Sequence, residues 1–352
     1  MSILFAIILF SVLIFVHELG HFAAAKWSGV QVNEFSLFMG PALWKKQVGE
    51  TLYAIRLIPI GGYCAMEGED GGSENPRAFG NTAWWKKLLI LVAGAAMNFL
   101  IGVLLMIIVY LPIQRVAVPV IDSFEPFSTV NGEDGLRAGD RILEVDGEKI
   151  YVHSDFSLIL SLNPGEVHDL LVRRDGRNVF LDDLRMEKHP VIQEDGSQTM
   201  LYGMNFTLEN LDLAGKIRYA WAQSLDTVRL VRISLQMLIS GEAGLRDMSG
   251  PVGIVQQMST VAEASPTFLD ALLNMLYFGG FIGINLAVMN LLPIPALDGG
   301  RVVGVLVTAL AEAVTGKKVD PRYEGYLHGA GMLLLLGLMA VIMFKDIWYL
   351  FK

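Results

Sequence analysis

One cysteine, Cys64, in 352 residues excludes an intrachain disulfide framework and a cysteine-built zinc knuckle, so a metal site in this chain has to draw on histidine and carboxylate ligands. A basic surplus is also missing. Lys and Arg number 27 against 36 Asp and Glu, a balance without the basic stripe that nucleic acid requires, and no nucleic-acid partner is expected. Residues 113–210 alone hold 18 acidic and 9 basic residues, which accounts for the whole net charge of −9 and assigns the acidity to one soluble insert. Internal repeats and low-complexity tracts are absent. So is any basic residue in positions 1–10, and a histidine–glutamate cluster stands where a cleavage site would fall, which argues against a signal peptide and for a retained span.

What the chain has in excess is apolar sequence, 53% hydrophobic residues, which points to a lipid bilayer as its solvent. Residues 3–25, 88–112, 271–292 and 327–344 are each long and apolar enough to be read as membrane spans. Trp84, Trp85, Lys86 and Lys87 anchor the second at an interface. Residues 31–63 are strand-like in composition around a charged turn and read as a β-hairpin at the membrane surface, followed by a flexible polar loop over 68–81. The expected fold is a polytopic α-helical membrane protein of about four transmembrane helices, with a membrane-associated β-hairpin and an inserted β-rich domain. Its expected blocks are a first core half (1–115), the insert (116–210), amphipathic linker helices (211–265) and a second core half (266–352). Basic residues crowd the 26–87 and 301–322 segments, which assigns both to the cytoplasmic side and the insert to the outside.

His17-Glu18-Leu19-Gly20-His21 fits H-E-x-x-H, in which histidines four apart on a helix face one way and can grip one Zn²⁺ while the glutamate between them serves as general base. The plainer reading has these residues cap the end of a span and reach for its surface. Against it stands the cost of charged groups inside an apolar run, on the order of 2–3 kcal/mol each, which makes such groups functional as a rule. Two histidines need a third protein ligand if one position stays open for water. In Asn290-Leu-Leu-Pro-Ile-Pro-Ala-Leu-Asp298-Gly-Gly, Pro293 and Pro295 break the helix and place Asp298 at a membrane-embedded helix start. Read locally, Asp298 is equally an N-cap of the helix beginning near Gly299. Glu312 and His328 are rival ligands without the broken-helix setting, and His328 reads as a packing histidine. Asn98 has two readings, a group that backs the site and, preferred, a buried helix–helix hydrogen bond; Ser249–Gly253 reads as a turn between helices, and Cys64 as a spectator thiol.

HELGH in a first span joined to NLLPIPALDGG in a later one resembles the site-2 protease family of intramembrane zinc metalloproteases. Gly135-Leu-Arg-Ala-Gly-Asp-Arg-Ile-Leu-Glu-Val-Asp-Gly147 is similar to the core of a PDZ domain, and its place between the second and third spans resembles the bacterial RseP-like branch, here with room for a single PDZ domain. The resemblance implies that His17, His21 and Asp298 bind zinc, that Glu18 is the catalytic base, and that Asn290 with Pro293 and Pro295 forms a substrate-binding segment. It implies that the hairpin lends the substrate an edge strand. It further implies pre-trimmed single-span membrane proteins as substrates, anti-sigma factors or signal-peptide remnants, cut in the bacterial inner membrane near the cytoplasmic side in regulated intramembrane proteolysis. The chain departs from the family at Gly94-Ala-Ala-Met-Asn98, where G-P-x-x-N is usual. Two other classes compete: a PDZ-bearing scaffold with a structural zinc site, which would not need Glu18, and a membrane-anchored zincin with a soluble catalytic domain.

Overall fold

The computed structural model describes residues 2–69, 73–132, 134–192, 197–244, 248–316 and 322–350. Two compact units emerge, Met1–Met106 with Thr227–Lys352, and Ile107–Asp226.

The first unit is built on long helices: α1 (Ser2–Ser28), most of α2 (Trp84–Tyr110), α6 (Phe268–Asn290) and α8 (Arg322–Leu350). Segments of these four, Ile3–Ser28, Trp84–Tyr110, Phe268–Asn290 and Gly325–Trp348, are long and apolar enough to cross a membrane. Where the driving force of water is missing, helices associate by close backbone approach at small residues. Gly102 of α2 and Gly280 of α6 show this, since a Cβ on Gly102 would stand 3.0 Å from the Gly280 carbonyl. Leu9 and Leu13 of α1, Ile282 of α6 and Met258 of α5 (Pro251–Ala264) close one buried cluster. The Ser249–Gly253 segment is the start of α5, not a free turn. Pro251 opens the helix, and the Gly250 and Gly253 amides donate to Asp346 of α8 at 2.9 and 3.0 Å.

Between α1 and α2 runs the hairpin of β1 (Val32–Val48) and β2 (Thr51–Met66). It is folded back on itself: residues 34–37 pair with 52–55 on one side and with 62–65 on the other, while 44–48 close onto 51–55. The result is a small four-segment sheet ordered 44–48, 51–55, 34–37, 62–66. Phe38, Gly40 and Gly61, all at positive φ, make the bends. Arg56 locks them by donating to Ser36 Oγ, the Gly40 carbonyl and Glu34 Oε1. The 73–82 part of the polar loop is tied down, contrary to expectation: Phe79 is buried, and Asn75 and Asn81 bond to Gln31 and to the loop's own carbonyls.

The second unit is an antiparallel sheet with one helix. Its strands are β3 (Arg115–Phe124), β4 (Arg141–Val145), β5 (Glu148–Lys149), β6 (Val167–Arg174), β7 (Arg177–Arg185) and β10 (Met204–Asn210), in the order β10-β3-β4-β6-β7 with β5 off β4. Helix α3 (His153–Leu162) supplies Phe156, Ile159 and Leu160 to a core shared with Ile121, Ile142, Leu170 and Val172. A separate hairpin pairs β8 (His189–Ile192) with β9 (Gln198–Leu201). Helix α4 (Leu213–Ser240) begins in this unit and ends in the other, and α7 (Asp298–Thr315) belongs to the first.

Candidate metal centre and its cleft

His17 and His21 sit one turn apart on α1, and their Nε2 atoms face each other at 3.0 Å. Asp298, the first residue of α7, brings Oδ2 to 3.2 Å from His17 Nε2 and 3.4 Å from His21 Nε2. That oxygen is buried and accepts no hydrogen bond of acceptable geometry.

The outer ring atoms decide which protons are present. His21 Nδ1 lies 2.8 Å from the Ile90 carbonyl, an acceptor only, so the proton is on Nδ1 and Nε2 carries a lone pair. His17 Nδ1 lies 3.4 Å from the amide nitrogens of both Asn98 and Asn290. Asn98 Oδ1 is itself buried without a partner. Turning that amide over, an assignment its hydrogen-bond surroundings must settle, lets Oδ1 accept from His17 Nδ1–H and removes the orphan. Both Nε2 atoms and Asp298 Oδ2 then point lone pairs at one spot with no proton between them. A tetrahedral zinc with bonds of about 2.0–2.1 Å separates its ligand atoms by roughly 3.3 Å, close to all three spacings. Among the described residues these three form a group able to hold a metal ion, with a His–carboxylate donor set suited to zinc.

Neither rival ligand joins them. Glu312 lies 14 residues beyond Asp298 on α7, roughly 21 Å along the helix axis. His328 Nδ1 accepts the Ala296 amide at 3.0 Å. The N-cap of α7 is Leu297, without a side-chain bond, so Asp298 does not cap the helix. Two groups of the Gly94–Asn98 segment belong here. The helix–helix contact of Asn98 runs from α2 to His17 on α1 and backs the site, and Gly94 leaves the space the rings fill, for a Cβ there would overlap His21 Nε2 and come within 2.8 Å of His17 Cε1. The departure from G-P-x-x-N around Gly94 and Asn98 was the available signal. Asn290 also contacts His17, while Pro293 and Pro295 shape the loop and are not among the cleft-lining residues. Ala296 in that loop has φ +82, a left-handed conformation costing a non-glycine residue roughly 1–2 kcal/mol.

The three donors open into a cleft of about 330 Å³, which Glu18 also lines. Its far wall is Tyr63, Cys64, Ala65 and Met66, the outermost segment of the folded hairpin. The open edge is therefore 62–66, whereas 52–55 is paired on both sides. Glu67 N–H donates inward to Gln31, so by alternation the backbone groups of Met66 and Cys64 face outward. Glu69 covers those of Met66: its Oε2 accepts the Met66 amide, its own amide donates to the Met66 carbonyl, and its carboxylate pairs with Arg301 of α7. No other strand among the described residues pairs along Gly62–Cys64. Cys64 is thus part of the cleft wall, and burial pushes its thiol above the usual range, which keeps it protonated and a poor rival to the imidazoles.

The sequence profile of peptidase family M50 matches residues 5–338. A Clostridium acetobutylicum protein that carries a provisional zinc-metalloprotease name is 34% identical, with 99% of this chain and 98% of that protein covered. The regulator of sigma-W protease RasP of Bacillus subtilis is 26% identical and the zinc metalloprotease RasP of Geobacillus kaustophilus 27%, each over 98% of this chain and 98% and 97% of their own lengths.

Proposed function

Since the chain belongs to peptidase family M50, the site-2 proteases, and is a multi-pass zinc metalloprotease, we propose that it hydrolyses peptide bonds within or near the membrane span of single-span proteins already trimmed by another protease. One observation carries this reading: the convergent donors of His17, His21 and Asp298 share their cleft with an open strand edge, on a frame of apolar helices. A helical substrate shields its peptide bonds with its own hydrogen bonds and must be drawn out before attack. The Gly62–Cys64 edge takes the drawn-out segment as an added strand. Residues 52–55, paired on both sides, cannot do so.

His17, His21 and Asp298 would hold the zinc, while the turned amide of Asn98 and the Ile90 carbonyl, as acceptors from Nδ1–H, fix the two imidazoles in the tautomer that leaves Nε2 for the metal. Bound zinc supplies Lewis acidity, polarising the scissile carbonyl and making water acidic near neutral pH. Glu18 takes the proton from the attacking water and delivers it to the leaving amine. Asn290 orients substrate backbone as well as His17, and Pro293 and Pro295 keep its segment from closing into helix. The relatives' bacterial sources and sigma-regulator names favour anti-sigma-factor-like or signal-peptide-remnant substrates in the bacterial cytoplasmic membrane, in regulated intramembrane proteolysis. The insert, with its PDZ-like Gly135–Gly147 motif, screens substrates from the extracytoplasmic side.

The test is cleavage of single-span proteins by the purified chain in detergent, with products located by mass spectrometry. Cuts are expected inside the span, abolished by a zinc chelator, and lost by several powers of ten in Glu18→Gln with zinc content retained. Cleavage that survives in Glu18→Gln, or cuts confined to soluble segments, would sink the proposal. Orientation is tested separately in a Cys64→Ser background. Cysteine at Ser197 should react with an impermeant maleimide in intact cells, and cysteine at Glu74 only after lysis.

A further inference from the structure

His328 stands on α8 at the edge of its apolar stretch, and neither the donor triad nor the cleft uses it. Its Nδ1 accepts the Ala296 amide at 3.0 Å, which places the ring proton on Nε2. One turn further along α8, Gly331 admits the preceding residue of the same loop: a Cβ at 331 would stand 2.6 Å from Pro295 Cβ and from its carbonyl oxygen. Helix α8 therefore grips both residues of the Pro295-Ala296 turn, and Asp298 starts α7 two residues later.

We propose that His328 is a positioning residue for the metal centre, holding Ala296 in its left-handed turn so that Asp298 presents Oδ2 to the two histidines. The inference rests on Asp298 being a zinc ligand. Ala296 at φ +82 is the third residue of a turn closed by the Leu297 amide on the Ile294 carbonyl at 3.1 Å, and a non-glycine residue there is strained toward negative φ. Relaxation would break that bond and redirect Leu297 and Asp298, and Leu297 adds no side-chain capping bond at the helix start. The acceptor on α8 adds a second restraint, on the Ala296 amide itself. His328 itself is not a ligand, because the lone pair on Nδ1 is committed to a backbone amide.

Asparagine offers an oxygen close to where the histidine holds Nδ1, so it can keep the bond without the ring. Parent, His328→Ala, His328→Asn, Gly331→Ala and Asp298→Ala are purified full-length in detergent. Zinc affinity is measured by chelator competition, and melting temperature in excess chelator. His328→Ala is expected to bind zinc about tenfold more weakly, the loss typical of a group supporting a ligand. Gly331→Ala weakens it by pushing Pro295 away, His328→Asn returns to the parent value, and the metal-free melting temperatures stay together. Cobalt-loaded His328→Asn keeps the parent absorption bands, as it must if no ligand has changed. Parental affinity in His328→Ala, or His328→Asn as weak as His328→Ala, overturns the inference. Should Asp298→Ala alone lose zinc, only the role of His328 falls. Should Asp298→Ala keep it, the ligand assignment falls as well.

Discussion

Among the described residues, the histidine–carboxylate clusters at His168 and at His17–His21 are opposites. In the inserted unit, His168 is buried with Nδ1 at 2.8 Å from Asp146 Oδ2 and Nε2 at 3.0 Å from the Gly165 carbonyl, so both nitrogens face acceptors. Asp146 in turn accepts from the Asp169 amide and the Asn163 side chain. Burial opposes its charge, but these donors outweigh burial and hold the carboxyl below its usual range. Both Asp146 oxygens thus receive donors from outside the ring, Oδ1 from the Asp169 amide and Oδ2 from the Asn163 side chain, whichever ring nitrogen carries the proton. In the membrane unit, two nitrogens and an oxygen meet at 3.0 to 3.4 Å and Asp298 Oδ2 is buried without a hydrogen bond, an arrangement that a cation between them relieves. Composition does not separate the two clusters. The balance of donors and acceptors does.

The sharpest way to break this contrast is to remove the carboxylate from each. Asp298→Ala should weaken zinc binding by at least about a hundredfold, beyond the loss from a merely supporting group, and abolish cleavage. Asp146→Asn should leave metal content, read by elemental analysis, at the parent level. Zinc retained in the first or lost in the second would erase the distinction. Glycines beside the two clusters sharpen it further. Gly94→Ala drives a methyl into both imidazoles and should lower zinc affinity and cleavage about 10- to 100-fold. Gly165→Ala, whose nearest neighbour would be 3.7 Å away, should change melting stability by no more than about 0.5 kcal/mol.

Smaller effects come from the groups around each cluster. Cys64→Pro removes one outward amide from the cleft edge, and kcat/KM for a single-span substrate should fall roughly 3- to 10-fold, the value of one hydrogen bond, with zinc retained. Cys64→Ala is the control for the lost thiol. An unchanged rate in the proline variant would take strand addition out of the mechanism. The smallest effect is the acid response of the insert. Because the folded Asp146 carboxyl titrates below its unfolded value, its contribution is complete above about pH 4 and is lost as pH falls through the lower folded value. Thermal unfolding of parent and Asp146→Asn should therefore differ at pH 6 and converge in acid. A gap that widens in acid would contradict the assigned hydrogen bonds.

Much of the site could be read from residue spacing because it lies within single elements. Four residues on a helix put His17 and His21 on one face, and the prolines before Asp298 marked a broken helix whatever surrounded it. Local reasoning set Asp298 apart from Glu312 and His328 only by its broken-helix setting and left an N-cap role equally open, whereas in the fold its carboxylate meets the α1 histidines. The open edge could not be located within the hairpin for a similar reason. Alternation shows that 31–66 forms strands, but not that residues 34–37 pair twice and thereby bury 52–55 while leaving 62–66 outermost. A site-backing role for Asn98 ranked second because nothing nearby in sequence shows that His17 is its partner.

The amino-acid sequence by itself determined the apolar spans, the interposed acidic β-rich insert and the pair of histidines on one helical face, all consequences of periodicity and composition that operate over one to seven turns. Tertiary structure decided the rest: the third donor, the amides behind the rings, the cleft wall and the grip of His328 on Ala296. Each of these joins residues from 32 to 281 positions apart, and whether such groups meet depends on which helix faces pack, a choice made by glycine contacts and loop geometry that no local pattern encodes.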